Sequence, residues 1–282
     1  MMTRKKSLKI GIQGVKSSFH DLAAHKYFEE KNIKIIESES FKDLCENLKN
    51  NKVDLAVMAI ENTIAGSILP NYSLIERYEF KIIGETYLRI EFALMALAGQ
   101  KLKDIKFVQS HPMAFYQCED FLYLHPKIKM IESSCTAGSA KDISINNKTK
   151  YAAIAPEKAA KTYGLEILYK GIETNKMNYT RFLILSRKQE YRPVSKANKS
   201  SLRFETFNIP GSLAKVLNMF KEYGINLTKI QSVPILGKPY EYSMHVDLEW
   251  NKKSEYMKAV KNLSFYAKNP IYFGEYEKGK KP

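Results

Sequence analysis

The 282-residue chain has little cysteine and one tryptophan; its three cysteines are Cys45, Cys118 and Cys135. An odd number at wide spacings, with no CxxC, excludes a disulfide framework of the secreted type and a thiolate zinc site. A reducing, cytoplasmic setting is expected. Long apolar runs are also missing: the longest, Phe92 to Ala98, has seven residues, where a bilayer span takes about 20. The basic start Met1-Met2-Thr3-Arg4-Lys5-Lys6 leads into no apolar stretch, so no secretory leader and no membrane partner are expected. Acids are scarce, 30 against 45 Lys plus Arg, for a net charge of +15. The bases are spread along the chain and gather only at Arg4-Lys5-Lys6 and Lys278-Gly279-Lys280-Lys281. That distribution reads as a solvated surface, and nucleic acid is not the expected partner. No GxxxxGK[ST], no GxGxxG after a strand, no HExxH and no GxSxG occurs. Nucleotide, metal and serine-hydrolase chemistry are therefore not expected.

What is present is a globular composition, 44% apolar and 27% charged, with length for two domains. Leu8, Ile10 and Ile12 alternate as in a strand. A helix is predicted over Phe19 to Glu30 and a strand over Ile33 to Ile36. Ser40 then caps a helix whose Phe41, Leu44, Cys45 and Leu48 share one face. Val53 to Ile60 is nearly all apolar, as in a parallel strand covered on both faces. Further strands are predicted within Lys81 to Ala98 (two segments), at Phe107-Val108, and over Lys127 to Glu132, Tyr151 to Ala155, Glu166 to Tyr169 and Tyr179 to Ser186. Helices are predicted from Ser110-His111-Pro112 with Ser110 as cap, from Cys135 to Ile145, and from Pro156 to a stop at Gly164. Such alternation predicts an α/β architecture. Arg187 to Ser200 is polar and aperiodic, a linker. Beyond it the predicted order is strand Leu202–Phe207, helix Gly211–Tyr223, strand Ile225–Pro234, a strand alternating from Tyr240 to Trp250, helix Ser254–Lys268 and strand Ile271–Tyr276. This βαββαβ order is ferredoxin-like.

Ligands of open α/β sheets bind beyond the carboxyl ends of the strands. Those ends carry Gln13-Gly14, Glu61-Asn62-Thr63, Gln109-Ser110-His111 and Ser133-Ser134-Cys135-Thr136-Ala137-Gly138. Ser110 and the Ser134–Thr136 run also open predicted helices, whose free N–H groups favour anions. A small anion held between two lobes is the expected ligand. Cys135 at a helix start is read as a structural or ligand-contacting thiol. In Asn178-Tyr179-Thr180-Arg181-Phe182-Leu183, an arginine sits among aromatics at a strand start. Its planar fork suits a carboxylate, and the neighbouring Thr180 can donate a hydrogen bond.

Together these segments resemble the prephenate dehydratases. The resemblance is carried by Gln13-Gly14-Val15, Ile60-Glu61-Asn62-Thr63 with Gly66-Ser67-Ile68 and Asn71-Tyr72, and Ser110-His111-Pro112 with Gln117-Cys118. It continues through Thr136-Ala137-Gly138, Ala152-Ala153-Ile154-Ala155 and the signature Thr180-Arg181-Phe182. The resemblance implies a two-lobed catalytic domain like type 2 periplasmic solute-binding proteins over 1–187, with hinges near 84–91 and 172–180. A linker over 188–200 and a ferredoxin-like ACT regulatory domain over 201–282 would follow. It implies conversion of prephenate to phenylpyruvate in L-phenylalanine biosynthesis without a cofactor. Thr180 would assist departure of the ring hydroxyl and Arg181 would bind carboxylate. Asn62, Thr63, Ser110, His111, Gln117, Thr136, Ala137 and Phe182 would line the cleft. In the ACT domain, Gly211, Ser212, Leu213, Asn226, Leu227, Gln231 and Ser232 would form the effector site for L-phenylalanine, in a homodimer or homotetramer. Several positions depart from the family pattern. Lys16 stands for Pro and Thr63 for Ser, and Gln231-Ser232-Val233-Pro234 replaces ESRP. His20 stands for Ser or Thr and is expected at the surface near the cleft mouth. Two other readings stand beside this one: arogenate dehydratase, which shares every motif quoted and is not separated from it by the sequence, and a non-catalytic aromatic or amino-acid sensor, against which the intact Thr180-Arg181-Phe182 argues.

Overall fold

The computed structural model describes residues 7–29, 32–192, 194–235 and 237–280. Arg4, Lys5, Lys6 and Lys281 of the basic ends lie outside these residues, as do Glu30 of the first predicted helix and Pro193 of the predicted linker. The described residues form two compact units. Of the described residues, the larger holds those from Ser7 to Leu74, Thr86–Ile184 and Lys280, and the smaller those of Ile75–Glu85 and Leu185–Gly279.

The larger unit opens with β1 (Leu8–Gln13), α1 (Phe19–Tyr27), β2 (Ile33–Ser38), α2 (Phe41–Lys49) and β3 (Leu55–Asn62). β2 and β3 flank β1 and run parallel to it, as the alternation predicts. Ser40 caps α2 in a full capping box: its hydroxyl accepts from the Asp43 N–H at 3.1 Å, and the Asp43 carboxylate accepts from the Ser40 N–H. Leu44, Cys45 and Leu48 on the predicted face are fully buried, the two leucines each worth roughly 1.5–3 kcal/mol. Next come β4 (Gly66–Ser67), α3 (Leu69–Arg77), β5 (Lys81–Arg89) and β6 (Ala93–Ala96). The sequence reading has no α3. Its Pro70 and Asn71 look like turn residues, but they occupy a first turn, where proline is tolerated. The segment 84–91, expected as a hinge, is strand as far as Arg89.

The chain continues through β7 (Phe107–Ser110), α4 (Pro112–Gln117), α5 (Glu119–Tyr123), β8 (Lys129–Glu132), α6 (Thr136–Ile145), β9 (Tyr151–Ala155), α7 (Glu157–Tyr163), β10 (Glu166–Lys170) and β11 (Tyr179–Ser186). Ser110 proves to be the last residue of β7, and the cap of α4 is His111. The strands form two sheets, ordered β2-β1-β3-β11-β5 and β10-β6-β9-β7-β8. In each, the first parallel strand sits between the second and third, and the next strand inward arrives by a crossover from the other sheet. This doubly crossed arrangement is the two-lobed plan expected from the sequence. It points the carboxyl ends of β1, β3, β7 and β9 at the space between the sheets.

The smaller unit contains β12 (Lys199–Glu205), α8 (Ser212–Glu222), β13 (Asn226–Pro234), β14 (Tyr242–Glu249), α9 (Lys253–Tyr266) and β15 (Lys268–Tyr276). Its antiparallel sheet is ordered β13-β14-β12-β15, the ferredoxin-like order. Lys199 and Ser200, predicted as linker, already belong to β12. Leu202, Phe204, Val216, Phe220 and Leu263 form its core, with Trp250 stacked on Tyr256 at 3.8 Å. Residues 75–85 are tied into this unit by charge. Lys199, 1% exposed, donates to Glu85 Oε1 at 3.0 Å, and Arg203 meets Glu76 at 2.7 Å.

Gly274 explains a close approach on β15. A Cβ there would lie 2.1 Å from the carbonyl oxygen of Ile82, a backbone atom that cannot swing aside. Gly274→Ala is expected to destabilise the chain by about 1–3 kcal/mol or more; a urea midpoint equal to wild type would contradict this contact.

Two buried histidines set a pH dependence. His20 on α1 is 9% exposed, and its Nε2 accepts from the Ala59 N–H at 3.2 Å; burial pulls its pKa down to about 3. His245 on β14 is pulled down to about 4 by burial and by Arg203. For a base whose folded pKa is depressed, stability is full above the unfolded value of about 6.5 and is lost as pH falls toward the folded value. Each histidine should therefore cost about 1.4 kcal/mol per pH unit below 6.5. Lowered carboxylates such as Asp142 and Glu205 act in the same direction, but only nearer their own range. Urea midpoints measured at pH 7, 6 and 5 should fall steadily; a flat profile would show that neither histidine is buried neutral.

Candidate active site

The two sheets of the larger unit enclose a cleft of about 460 Å³. Gln13, Ser18, His20, Asn62, Thr180 and Phe182 line it from the first sheet and its helices, and His111, Gln117, Ser134, Cys135 and Thr136 from the second. Gln13 and Asn62 end β1 and β3, His111 follows β7, and Ser134 to Thr136 follow β8, as the α/β plan requires, while Thr180 and Phe182 come from the start of β11.

Asn62 is the hub. It ends β3, where its Oδ1 accepts from the N–H groups of Ile64 and Ala65, both at 2.9 Å, and so shapes the turn that follows. Its Nδ2 donates to Asn178 Oδ1 at 2.7 Å and to Thr180 Oγ1 at 3.0 Å. Gln117 closes a ring, donating to Asn62 Oδ1 at 3.3 Å and accepting from Asn178 Nδ2 at 2.9 Å. All four residues are less than 9% exposed. The threonine hydroxyl accepts from Asn62, so its own proton remains for a partner in the cleft. Asn178 carries no site expectation in the sequence; only the fold shows that it bonds Asn62 and Gln117.

Alternation along β11 puts Thr180 and Phe182 on the cleft side. Arg181 lies between them, 5% exposed, and is not among the residues that line the cleft; its Nη1 is 3.9 Å from Glu61 on the neighbouring β3. Thr63 also lies off the cleft, donating to the Met177 carbonyl and accepting from the Tyr179 N–H. Ser110 is sealed and donates to the Ile154 carbonyl at 2.7 Å. Ala137 is fully buried in α6.

The backbone of α6 is nevertheless open to a ligand. Its N-cap, Cys135, makes no side-chain cap bond, and no acid stands in the first turn. Among the described residues the N–H groups of Thr136, Ala137 and Gly138 have no partner in the chain. Thr136, the first residue of α6, lines the cleft, and among the described residues that lining includes no carboxylate. Gly14 makes room for this corner. Its φ of +90° is one that only glycine adopts freely, and a Cβ would stand 3.0 Å from Cys135 Sγ. His111 accepts from the Met113 N–H through Nδ1 at 3.1 Å, and burial lowers its pKa. It therefore serves the cleft as a neutral group.

His20 was expected at the surface, but it lines the cleft and packs edge-on against Phe182 at 5.1 Å and Phe41 at 5.5 Å. No sequence pattern marks it, because its importance comes from the Ala59 N–H, which lies past the last β1–β3 pair at Val57.

In the smaller unit, Gly211 caps α8 at φ +79°, and Ser212 donates to the Ile209 carbonyl. Leu213 and Leu227 pack on the core. Asn226, Gln231 and Ser232 lie on β13, at the edge of the sheet.

The family model for prephenate dehydratase matches residues 10–190. "Arogenate dehydratase/prephenate dehydratase 2, chloroplastic" of Arabidopsis thaliana is 35% identical over 281 residues, covering 95% of this chain and 72% of that protein. A "Bifunctional chorismate mutase/prephenate dehydratase" of Buchnera aphidicola subsp. Schizaphis graminum is 35% identical over 246 residues, covering 86% of this chain; the chain spans 64% of that relative's length. The crystal structure of a prephenate dehydratase from Arthrobacter aurescens in complex with L-Phe superposes with a TM-score of 0.84 at 26% identity, over 96% of this chain and 90% of that one. The cleft between two crossed sheets, its threonine held by an amide ring, and these matches make the chain a member of the prephenate dehydratase family.

Proposed function

We propose that the chain catalyses the decarboxylating dehydration of prephenate to phenylpyruvate, a lyase step of L-phenylalanine biosynthesis. The observation that carries this reading is the Thr180 hydroxyl in the cleft lining, held as an acceptor by Asn62, which leaves it able to donate.

The prephenate dianion takes up one proton and gives the phenylpyruvate monoanion, carbon dioxide and water. The bond from the ring to its carboxylate breaks and that electron pair enters the ring. The ring C–O bond opposite breaks, and its pair leaves with the hydroxyl, which gains the proton. Thr180 donates to this oxygen as negative charge builds on it. Positioned proton donation is worth roughly 10²–10⁴-fold. Phe41, Ile90, Phe92 and Phe182 keep the cleft apolar around the ring. The side-chain carboxylate is assigned to the free N–H groups that open α6. Arg181 is assigned to holding the Glu61-Asn62 end of β3, a positioning role. Prephenate is preferred over the aminated arogenate because, among the described residues, the lining includes no carboxylate to meet an ammonium group. A reducing, cytoplasmic setting suits three free cysteines.

L-Phenylalanine is assigned as effector of the smaller unit, read as an ACT domain, between the α8 start (Gly211, Ser212) and β13 (Asn226, Gln231, Ser232). The Arthrobacter relative bound to L-Phe supports this. An edge strand such as β13 suits pairing with a second copy, so a homodimer or homotetramer is part of the proposal.

The test supplies the purified chain with prephenate and then arogenate, each with and without L-phenylalanine. Turnover of prephenate is expected, and turnover of neither would overturn the reading. Thr180→Ala should lower kcat by roughly 10²–10⁴-fold with KM little changed; a near-normal kcat would remove Thr180 from its role. L-Phenylalanine should alter the rate and raise Tm. If it does neither, the effector site is not there.

A further inference from the structure

His20 has one ring nitrogen that the fold consumes and one that it does not. Nε2 accepts from the Ala59 N–H at 3.2 Å. A neutral imidazole with one nitrogen accepting carries its proton on the other, so the hydrogen sits on Nδ1. Among the described residues, Nδ1–H has no partner in the chain. It is also not among the sealed atoms that lack one, so it keeps contact with solvent. The ring packs against Phe41 and Phe182, which line the cleft as His20 does. The 9% of His20 left exposed therefore opens into the cleft.

We infer that His20 Nδ1–H is a hydrogen-bond donor to the substrate, holding the ring carboxylate that leaves as carbon dioxide. The inference rests on the function proposed above and adds a contact to it. His20 packs on Phe182, and Phe182 is two residues from Thr180 on the same face of β11. Two residues span about 6.6 Å of strand. That offset suits a ring whose hydroxyl and carboxylate sit on opposite carbons, the hydroxyl at Thr180 and the carboxylate toward His20. Burial that pulls His20 to about 3 keeps it an uncharged donor at working pH. A neutral donor orients a carboxylate without the strong ground-state grip of a cation, which would oppose loss of that charge in the transition state.

The alternative is that His20 only satisfies the Ala59 N–H of β3, beyond the last β1–β3 pair. Two substitutions separate these roles, because glutamine can reach the place of Nε2 and asparagine that of Nδ1. His20→Gln keeps an acceptor for the Ala59 N–H and loses the donor. His20→Asn keeps the donor and loses the acceptor. Steady-state kinetics on prephenate, calorimetric binding of prephenate and phenylpyruvate, and urea midpoints are measured on the full chain. His20→Gln should fold with a midpoint near wild type, raise KM and the Kd of prephenate about 10–100-fold, and lower kcat less. Phenylpyruvate lacks the ring carboxylate, so its Kd should change little. His20→Asn should show the lower midpoint and the smaller rise in KM. A glutamine variant with wild-type KM and Kd overturns the inference while leaving the wild-type activity standing. Losses that follow the urea midpoint in both variants assign His20 to structure alone and overturn it too. A wild-type chain that binds but does not turn over prephenate removes the enzymatic reading, and the two Kd values still decide the contact. A wild-type chain that neither binds nor turns over prephenate removes both.

Discussion

The cleft depends on one side-chain amide. Asn62 must end β3, shape the turn after it and hold Thr180, and its two polar atoms do all three. Gln117 and Asn178 complete the ring from α4 and from the second crossover, so the first sheet, the second sheet and the connection between them meet at one buried point. A closed polar ring inside a protein is stable because every member is satisfied, and it is costly when one is removed. The geometry of Thr180 therefore comes from fixed partners rather than from the flexible reach of a lone hydroxyl. Such preorganisation lets a weak acid serve as a donor to developing charge.

The smaller unit meets its own constraint differently. Its sheet buries the cation Lys199, which the acids Glu85 and Glu249 neutralise at 3.0 and 3.5 Å. Glu85 also accepts from the Gly279 N–H, so one carboxylate binds both β12 and the end of the chain. An isolated charge at 1% exposure would be far costlier to bury than this pair. Residues 75–85 thus belong with the ferredoxin-like sheet through charge and through the close approach at Gly274, although sequence order places them far from it. Spacing and periodicity could not show this, because ion pairs between distant segments leave no local pattern.

Local signals were legible wherever one physical rule governed one segment. Tyr179–Ser186 is read to its ends, because the apolar run Phe182 to Leu185 marks a strand buried on both faces. The Ser40 cap and the Gly164 stop follow from backbone chemistry confined to a few residues. Ser110 and His111 show the limit. Both fit a helix start, and only the pairing of Ser110 with Glu132 puts the serine in β7. In the site, Asn62, Gln117, Thr136, Thr180 and Phe182 were identified from motifs and do line the cleft. Arg181 was singled out because an arginine among aromatics is unusual. The alternation of its strand turns it from the lining, and the same rule could have been applied in advance. His20 could not be found that way, since its partner is a backbone group on another element.

Among the described residues the cleft lining includes no Asp, Glu, Lys or Arg, which fits the reaction. Dehydration with decarboxylation removes negative charge at a carboxylate and creates it at the departing hydroxyl across the ring. A lysine or arginine against the ring carboxylate would stabilise the substrate more than the transition state, and the net effect would be a tighter ground state and a slower step. Neutral donors avoid this. The N–H groups opening α6, the Thr180 hydroxyl and the two uncharged histidines can orient an anion while leaving its charge free to move. The chain's net charge of +15 then acts at longer range, raising the local concentration of an anionic substrate without gripping the atoms that react. Salt should screen that attraction and raise KM, while kcat, set by the fixed dipoles inside the cleft, should stay nearly constant.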